Sequence, residues 1–246
     1  MAIRGLPEIR KGDDVAKQIV RAARREGLSL RDGDVLVVAQ KIISKAEGRT
    51  AQLSRVKPSG RARQLAKRLS RDARFIEVVL RESRRIVRAD RALIVETHHG
   101  FVCANAGVDH SNVGQGGCVT LLPKNPDRSA RRLASALKRL TGQRVGVIIS
   151  DTFGRPWRLG LVNFAIGAAG VPVLLDLRGT RDRDRRLLTA TVLAVADELA
   201  AAAGLLMGKT SGTPVIVIRG YGAAKGSASG GGASSLIRPA SEDLFR

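Results

Sequence analysis

Apolar residues recur at helical spacing between positions 13 and 25 (Val15, Ala16, Ile19, Val20, Ala23), and this pattern predicts an amphipathic helix. A turn at Asp32-Gly33-Asp34 precedes the apolar run 35–39, whose length and β-branched content predict a buried strand. Residues 41–49 read as a polar, glycine-containing connection. Helical patterns follow at 59–69 and 72–85, with Leu65, Leu69, Ile76, Val79 and Leu80 as core candidates. Short strands are expected at 92–96 and 101–103, a helix at 129–140, and a strand at 145–149 that stops where the apolar run meets Asp151 and Thr152. A strand-like stretch at 171–175 leads through an Arg-rich connection to a long helix at 187–206. Val215 to Ile218 form a late strand after a Gly/Thr/Ser loop.

Helices and strands alternate without a strict βαβ rhythm and without an internal repeat, which points to an α+β fold of mixed α/β elements. Residues 222–235 are rich in Gly, Ala and Ser and carry no core pattern; they are expected to form a mobile loop, with Ile237 and Phe245 anchoring the tail beyond it.

With 246 residues the chain can bury a substantial core. No apolar run is long enough to span a bilayer, and the first residues do not open a signal peptide, so a cytoplasmic protein without membrane partners is expected. Two cysteines, Cys103 and Cys118, argue against a disulfide framework. The formal net charge of +21 raises nucleic-acid binding as a reading. Against it, aromatics are only 3%, which leaves few stacking platforms, and the basic residues are scattered over segments that read as outer faces of helices. A solvated basic surface that also attracts polyanionic substrates is the favoured reading.

Four short segments carry candidate chemistry. In the first, Asp151 and Thr152 follow a strand and offer hard oxygen ligands for Mg²⁺ or Mn²⁺, while Arg155 and Arg158 suit phosphate or carboxylate. Ile43-Ser44-Lys45-Ala46-Glu47-Gly48-Arg49 places a lysine where it could meet a nucleotide phosphate. Asn105-Ala106-Gly107-Val108-Asp109-His110-Ser111-Asn112 sets Asp109 and Asn112 three apart in a turn. The fourth, residues 206–214, is a small-residue loop that lacks the spacing of a Walker A sequence. Each has a plainer reading, as a turn, a surface lysine or a helix cap through Gly208. His98 and His99 beside Gly100 read as turn residues, and Trp157 as a packing residue.

Taken in this order, the segments resemble the coenzyme F420-0:L-glutamate ligase (F420 γ-glutamyl ligase) family. The resemblance runs over nearly the whole chain: the early Leu-Pro-x-Ile, the SKAEGR block, NAGVDxSN, DTxGRPWRxG followed by Ala165-Ile166-Gly167, the VADELA helix, and the ending Arg238-Pro239 with Glu242-Asp243-Leu244-Phe245-Arg246. It implies a fold of two closely associated lobes in an intertwined homodimer; residues 1–246 are taken as one functional unit, and the nitroreductase-like domain fused to some bacterial relatives is not expected here. The implied activity is GTP-dependent ligation of L-glutamate to the lactyl carboxylate of coenzyme F420-0 through an acyl phosphate. Mg²⁺ or Mn²⁺ would be required, and K⁺ is a further candidate ion.

The same resemblance implies that Asp109, Asp151 and Thr152 bind metal. It implies that Leu6, Pro7, Glu8, Ile9, Gln40, Lys41, Lys45, Asn112 and the loop Met207, Gly208, Lys209, Thr210, Ser211, Gly212, Thr213 bind nucleotide. No catalytic acid or base is singled out. Two departures stand out. Lys209 occupies a position where the family can carry Glu or Gln as a metal ligand, and an ammonium has no lone pair to offer. Arg185 replaces a family glycine before Arg186. A nucleic-acid-binding protein on a degenerate ligase fold, or a related amide ligase acting on another carboxylate, are the competing readings.

Overall fold

The computed structural model describes residues 1–109, 117–208, 211–221 and 231–243. Its helices are α1 (Val15–Arg25), α2 (Gln40–Ala46), α3 (Gly60–Leu69), α4 (Ala73–Arg81), α5 (Pro126–Thr141) and α6 (Val195–Met207). Its strands are β1 (Ala2–Ile3), β2 (Val35–Ala39), β3 (Thr50–Gln52), β4 (Ser83–Ala89), β5 (Leu93–Thr97), β6 (Val102–Ala104), β7 (Cys118–Thr120), β8 (Gly146–Arg155), β9 (Arg158–Ala169), β10 (Leu175–Asp176), β11 (Val192–Leu193) and β12 (Val215–Ile218). The chain is therefore a mixed α/β protein with several sheets.

The main sheet has the order β1-β12-β2-β8-β9, with β2 and β8 parallel and all other neighbours antiparallel. Successive strand residues point to opposite faces. Leu36, Val38, Val147 and Ile149 meet α1 and α5 through Ile19 and Leu137, whereas Val37, Ile148 and Ile216 meet α6 through Ala196, Leu199 and Ala203. Both faces are covered, which is why β2, the start of β8 and β12 read as continuous apolar runs. A separate cluster (Leu53, Phe75, Ile76, Val79, Leu93, Val95, Val119) unites α3, α4 and the small sheets β4-β5-β6 and β3-β7.

Local caps fix the helices. Asp14, Ser59, Asp72 and Asn125 accept backbone N–H bonds at the starts of α1, α3, α4 and α5, and Gly142 closes α5 in the left-handed region. The basic residues of α1, α3 and α5 (Arg21, Arg24, Arg61, Arg63, Arg131, Lys138 among them) are exposed, as their helical pattern predicts.

Several expected elements are corrected. Residues 40–46 form α2 rather than a loop; with seven residues it is too short to display a period, although Ile42 and Ile43 turn inward. The helix expected to reach 85 stops at Arg81, and the β-branched pair Ile86-Val87 belongs to β4. The strand expected to end at 149 continues to Arg155, because the edge hairpin with β9 pairs Asp151 with Phe164 and Thr152 with Asn163. The expected helix from 187 begins only at Val195, since Thr189, Thr191 and Val192 favour extended backbone. The expected strand at 171–175 is reduced to β10. Trp157 does not pack into the core of its own chain: it lies at the hairpin turn with φ 56° and is 80% exposed. Of the expected mobile loop, 222–230 lie outside the described residues, whereas Ala233–Leu236 form a 3-10 turn with Ala233 buried. Ile237 packs on Gly100, and Phe245 lies outside the described residues. His98 and His99 occupy a turn, as expected.

Two contacts hold the sheet in its frame. A Cβ on Gly167 would lie 2.4 Å from the Pro126 carbonyl oxygen, so glycine is what lets the start of α5 press on β9. There Asp127 accepts from the N–H groups of Ala168 (2.9 Å) and Ala233 (2.7 Å). At the opposite end of the sheet, buried Asp34 accepts two bonds of 2.8 Å from Arg219, which follows β12.

Candidate functional site

Three segments meet where the parallel pair β2/β8 ends. Ala39 is paired with Ser150, the last parallel rung. From there β2 runs directly into Gln40 and Lys41 of α2, while β8 continues to Asp151 and Thr152. The third segment is the loop after α6, since Ala39 donates its N–H to the Pro214 carbonyl at 2.8 Å. The carboxyl end of a parallel strand pair is where α/β folds leave space for ligands, because the connections diverge there.

Side chains from elsewhere close on this edge. Lys41 Nζ lies 2.8 Å from Asp109 Oδ2, with the two side chains 22% and 39% exposed. Asp109 is held by its backbone, which exchanges bonds of 3.1 and 3.0 Å with Thr120. One turn along α2, Lys45 Nζ lies 2.5 Å from Glu8 Oε1, and the lysine side chain is 11% exposed. Ile9 is buried in the core beneath Glu8, Leu6 is half-buried and Pro7 exposed. Gln40 is buried and accepts from Ser44 Oγ at 2.7 Å, so its side chain braces α2 from within.

Thr152 Oγ1 donates to Asn163 Oδ1 at 3.0 Å, and Asn163 Nδ2 reaches Met207 Sδ at 3.6 Å, linking β8 through β9 to the end of α6. Burial first, and then the Asp151 carboxylate, push the Cys103 thiol up to about 12, against the opposing bond from the Gly107 N–H. Asp151 is therefore close to the turn that carries Asp109 two residues after Gly107.

The loop after α6 is a helix cap as well as part of this edge. Gly208 ends α6 with φ 55°, and the hydroxyls of Ser211 and Thr213 both bond the Met207 carbonyl. Gly212 has φ 63°, and Thr213 is buried. Asn112, Lys209 and Thr210 lie outside the described residues. The structure thus brings Lys41, Lys45, Glu8, Asp109, Asp151, Thr152 and the ends of the 207–213 loop to one edge of the sheet.

Arg155 and Arg158 stand apart from that group. Four residues of extended strand, about 13 Å, separate Arg155 from Asp151. The two arginines face each other across the β8–β9 turn, where Arg155 donates to the Leu159 carbonyl at 3.0 Å. Arg185 has φ 63°, so the non-glycine residue occupies a left-handed position. Asn163, the partner of Thr152, was not singled out from sequence; the one available signal was a lone amide inside the apolar strand Leu161–Ile166. Asp197 was also missed: it accepts from Ala165 N–H at 2.9 Å beside the bulge at Ile149/Ser150, and burial raises its pKa. Among the described residues no group of three or more His, Cys, Asp or Glu could hold a metal ion, and no helix is long and apolar enough to cross a membrane. A cavity of about 420 Å³ opens beside Asp109, between Arg71, Phe75 and Asn105.

Comparison with known proteins adds a chain-wide likeness. The family model described as F420-0:gamma-glutamyl ligase matches residues 4–220. A protein of Methanothermobacter thermautotrophicus named coenzyme F420:L-glutamate ligase is 46% identical, over 100% of this chain and 98% of its own. Proteins of the same name from Methanopyrus kandleri (47% identical, over 97% of this chain and 94% of theirs) and Archaeoglobus fulgidus (44%, over 99% and 94%) are similar over comparable lengths.

Proposed function

The chain belongs to the F420-0:gamma-glutamyl ligase family, and from that membership we propose that it joins L-glutamate to the lactyl carboxylate of coenzyme F420-0, with GTP as the phosphoryl donor. The observation that carries the reading is the gathering of two lysines, two aspartates and a hydroxyl-lined loop at the carboxyl edge of β2/β8, in a chain matched over its length by proteins named for this ligation.

The chemistry sets what such a site must do. A carboxylate resists attack by an amine because its oxygen is a poor leaving group. Transfer of a phosphoryl group forms an O–P bond to the carboxylate and breaks the bond to the nucleoside diphosphate. The glutamate amine then attacks the carbonyl carbon, phosphate departs, and an amide remains. Both steps concentrate negative charge that must be neutralised and held in line. Lys41 and Lys45 bring two ammonium groups to the edge where a triphosphate would lie. Leu6 to Ile9 and the 207–213 loop border it, and the Ser211 and Thr213 hydroxyls hold that loop against α6.

Asp109, Asp151 and Thr152 fit a divalent cation. Their oxygens are hard donors, Mg²⁺ is commonly held by one or two carboxylates together with phosphates, and Asp109 already takes a cationic group, the Lys41 ammonium, at 2.8 Å. When bound there, Mg²⁺ or Mn²⁺ would supply Lewis-acid neutralisation of the phosphoryl oxygens. The apolar tip of the β8–β9 hairpin (Trp157, Leu159, Leu161), strongly exposed, supports the homodimer reading.

The test is a mass-resolved ligation. Purified protein with GTP, Mn²⁺, L-glutamate and F420-0 yields a product heavier by one glutamyl residue, or by several, together with GDP. Absence of both the mass shift and GDP refutes the reading.

A further inference from the structure

The ion pair between Lys41 and Asp109 joins two groups that the proposed reaction must separate. Asp109 is the carboxylate assigned above to a divalent cation, and Lys41 is an ammonium assigned to nucleotide phosphate. Each is presented by a fixed backbone. Lys41 is the second residue of α2, whose Ile42 and Ile43 are anchored in the sheet-centred core. Asp109 follows Val108, which belongs to the other hydrophobic cluster, and is paired with Thr120. The pair therefore bridges the two packed bodies, and its side chains are exposed enough for ions to reach them.

We propose that Lys41 is a positioning residue that occupies Asp109 until a divalent cation displaces its ammonium, which then turns to the nucleotide phosphate. The proposal rests on the ligase reading above. An ammonium held 2.8 Å from Oδ2 and a divalent ion bonded to the same carboxylate bring two positive charges close together, so each occupancy weakens the other and the two compete. A partly exposed ion pair is weak enough for the exchange to be ready. Cation binding releases the ammonium that phosphate needs, and phosphate draws away the ammonium that blocks the cation. Each ligand thereby favours the other, and by linkage the effect is reciprocal.

The test measures Mn²⁺ binding to nucleotide-free protein through the paramagnetic resonance of unbound Mn²⁺, at an ionic strength near 0.15 M, where distant charges are screened over about 8 Å. Lys41→Met is expected to bind Mn²⁺ roughly 3- to 5-fold more tightly than the parent, the upper part of the range that a partly exposed pair allows. It also loses the part of the tightening of GDP binding by Mn²⁺ that the freed ammonium contributes, keeping the part that the ion supplies by touching phosphate itself. Lys41→Arg restores the parent behaviour. Lys45→Met, whose ammonium rests on Glu8 instead, stays within about two-fold of the parent in Mn²⁺ affinity. If Asp109→Asn weakens Mn²⁺ binding while Lys41→Met leaves it unchanged, or Lys45→Met tightens it equally, Lys41 does not guard Asp109; the proposal falls and the ligase reading stands. If Asp109→Asn binds Mn²⁺ as the parent does, the assignment of Asp109 falls and the proposal with it.

Discussion

Replacing Gly167 by alanine tests the closest backbone approach beside the site. The new Cβ would lie 2.4 Å from the Pro126 oxygen, 2.5 Å from its carbonyl carbon and 2.8 Å from its Cβ. Ordinary contact begins near 3.4 Å, so β9 and the start of α5 must part by about 1 Å. Neither can yield by a side-chain rotation, because two of the three atoms are backbone. Parting also stretches the 2.9 Å bond from Ala168 N–H to Asp127. Overpacking of this kind costs about 1–3 kcal/mol, and the strained hydrogen bond adds about 1 kcal/mol. For a chain of 246 residues, a loss of about 2–4 kcal/mol lowers the melting temperature by roughly 4–16 °C. Gly154→Ala is the control: its Cβ would meet only Leu161, at 3.9 Å, and its stability should stay within about 0.5 kcal/mol of the parent. Calorimetric melting of both variants decides the matter. Equal melting temperatures for Gly167→Ala and the parent would refute the claim that α5 is pressed on β9.

Asp34→Ala removes the acceptor of two Arg219 bonds and of the Arg31 N–H bond, and should cost about 2–4 kcal/mol in urea unfolding. Burial alone would raise the Asp34 pKa, but the bonds from Arg219 and Arg31 outweigh it and hold the folded value below 3.8. The stabilisation is therefore present above pH 3.8 and lost as pH falls through the lower folded value, so the gap between variant and parent narrows in acid. Arg185→Gly relieves a left-handed residue at φ 63° and should be neutral to about 1 kcal/mol stabilising, read as a higher urea midpoint. Cys103, with its thiol pushed up to about 12, should resist iodoacetamide at pH 8 in the folded protein and react once urea unfolds it; rapid labelling of native Cys103 would contradict the packing of β6.

The buried strands β2 and β12 were legible because both faces of the sheet are covered, which turns their sequences into unbroken apolar runs. The same rule hid the far half of β8. Beyond Ser150 the hairpin runs along a sheet edge, where Asp151 and Thr152 stand side by side and only Phe153 and Gly154 separate them from Arg155, and the apolar run alone could not show that the strand continues. Helix α2 was hidden by its shortness, and β4 by an apolar pattern that merges with α4. The site residues were named from motifs, but their pairings were not readable. Lys41 and Asp109 are distant in sequence, and only the packing of α2 beside β7 brings them together. Asn163 escaped notice because a single amide in a strand says nothing until its partner Thr152 is known.

The most direct test of the central claim is single-turnover ligation by Asp151→Asn, scored by mass for the glutamylated product and by calorimetry for the fold. Asp151 is half-buried and lies on an edge hairpin, so the amide, which keeps the size of the side chain and removes its charge, should leave the melting temperature near that of the parent. If the edge formed by β2 and β8 is where phosphoryl transfer takes place, the variant melts as the parent does and forms no detectable product. A folded Asp151→Asn protein that ligates glutamate at the parent rate would contradict the account.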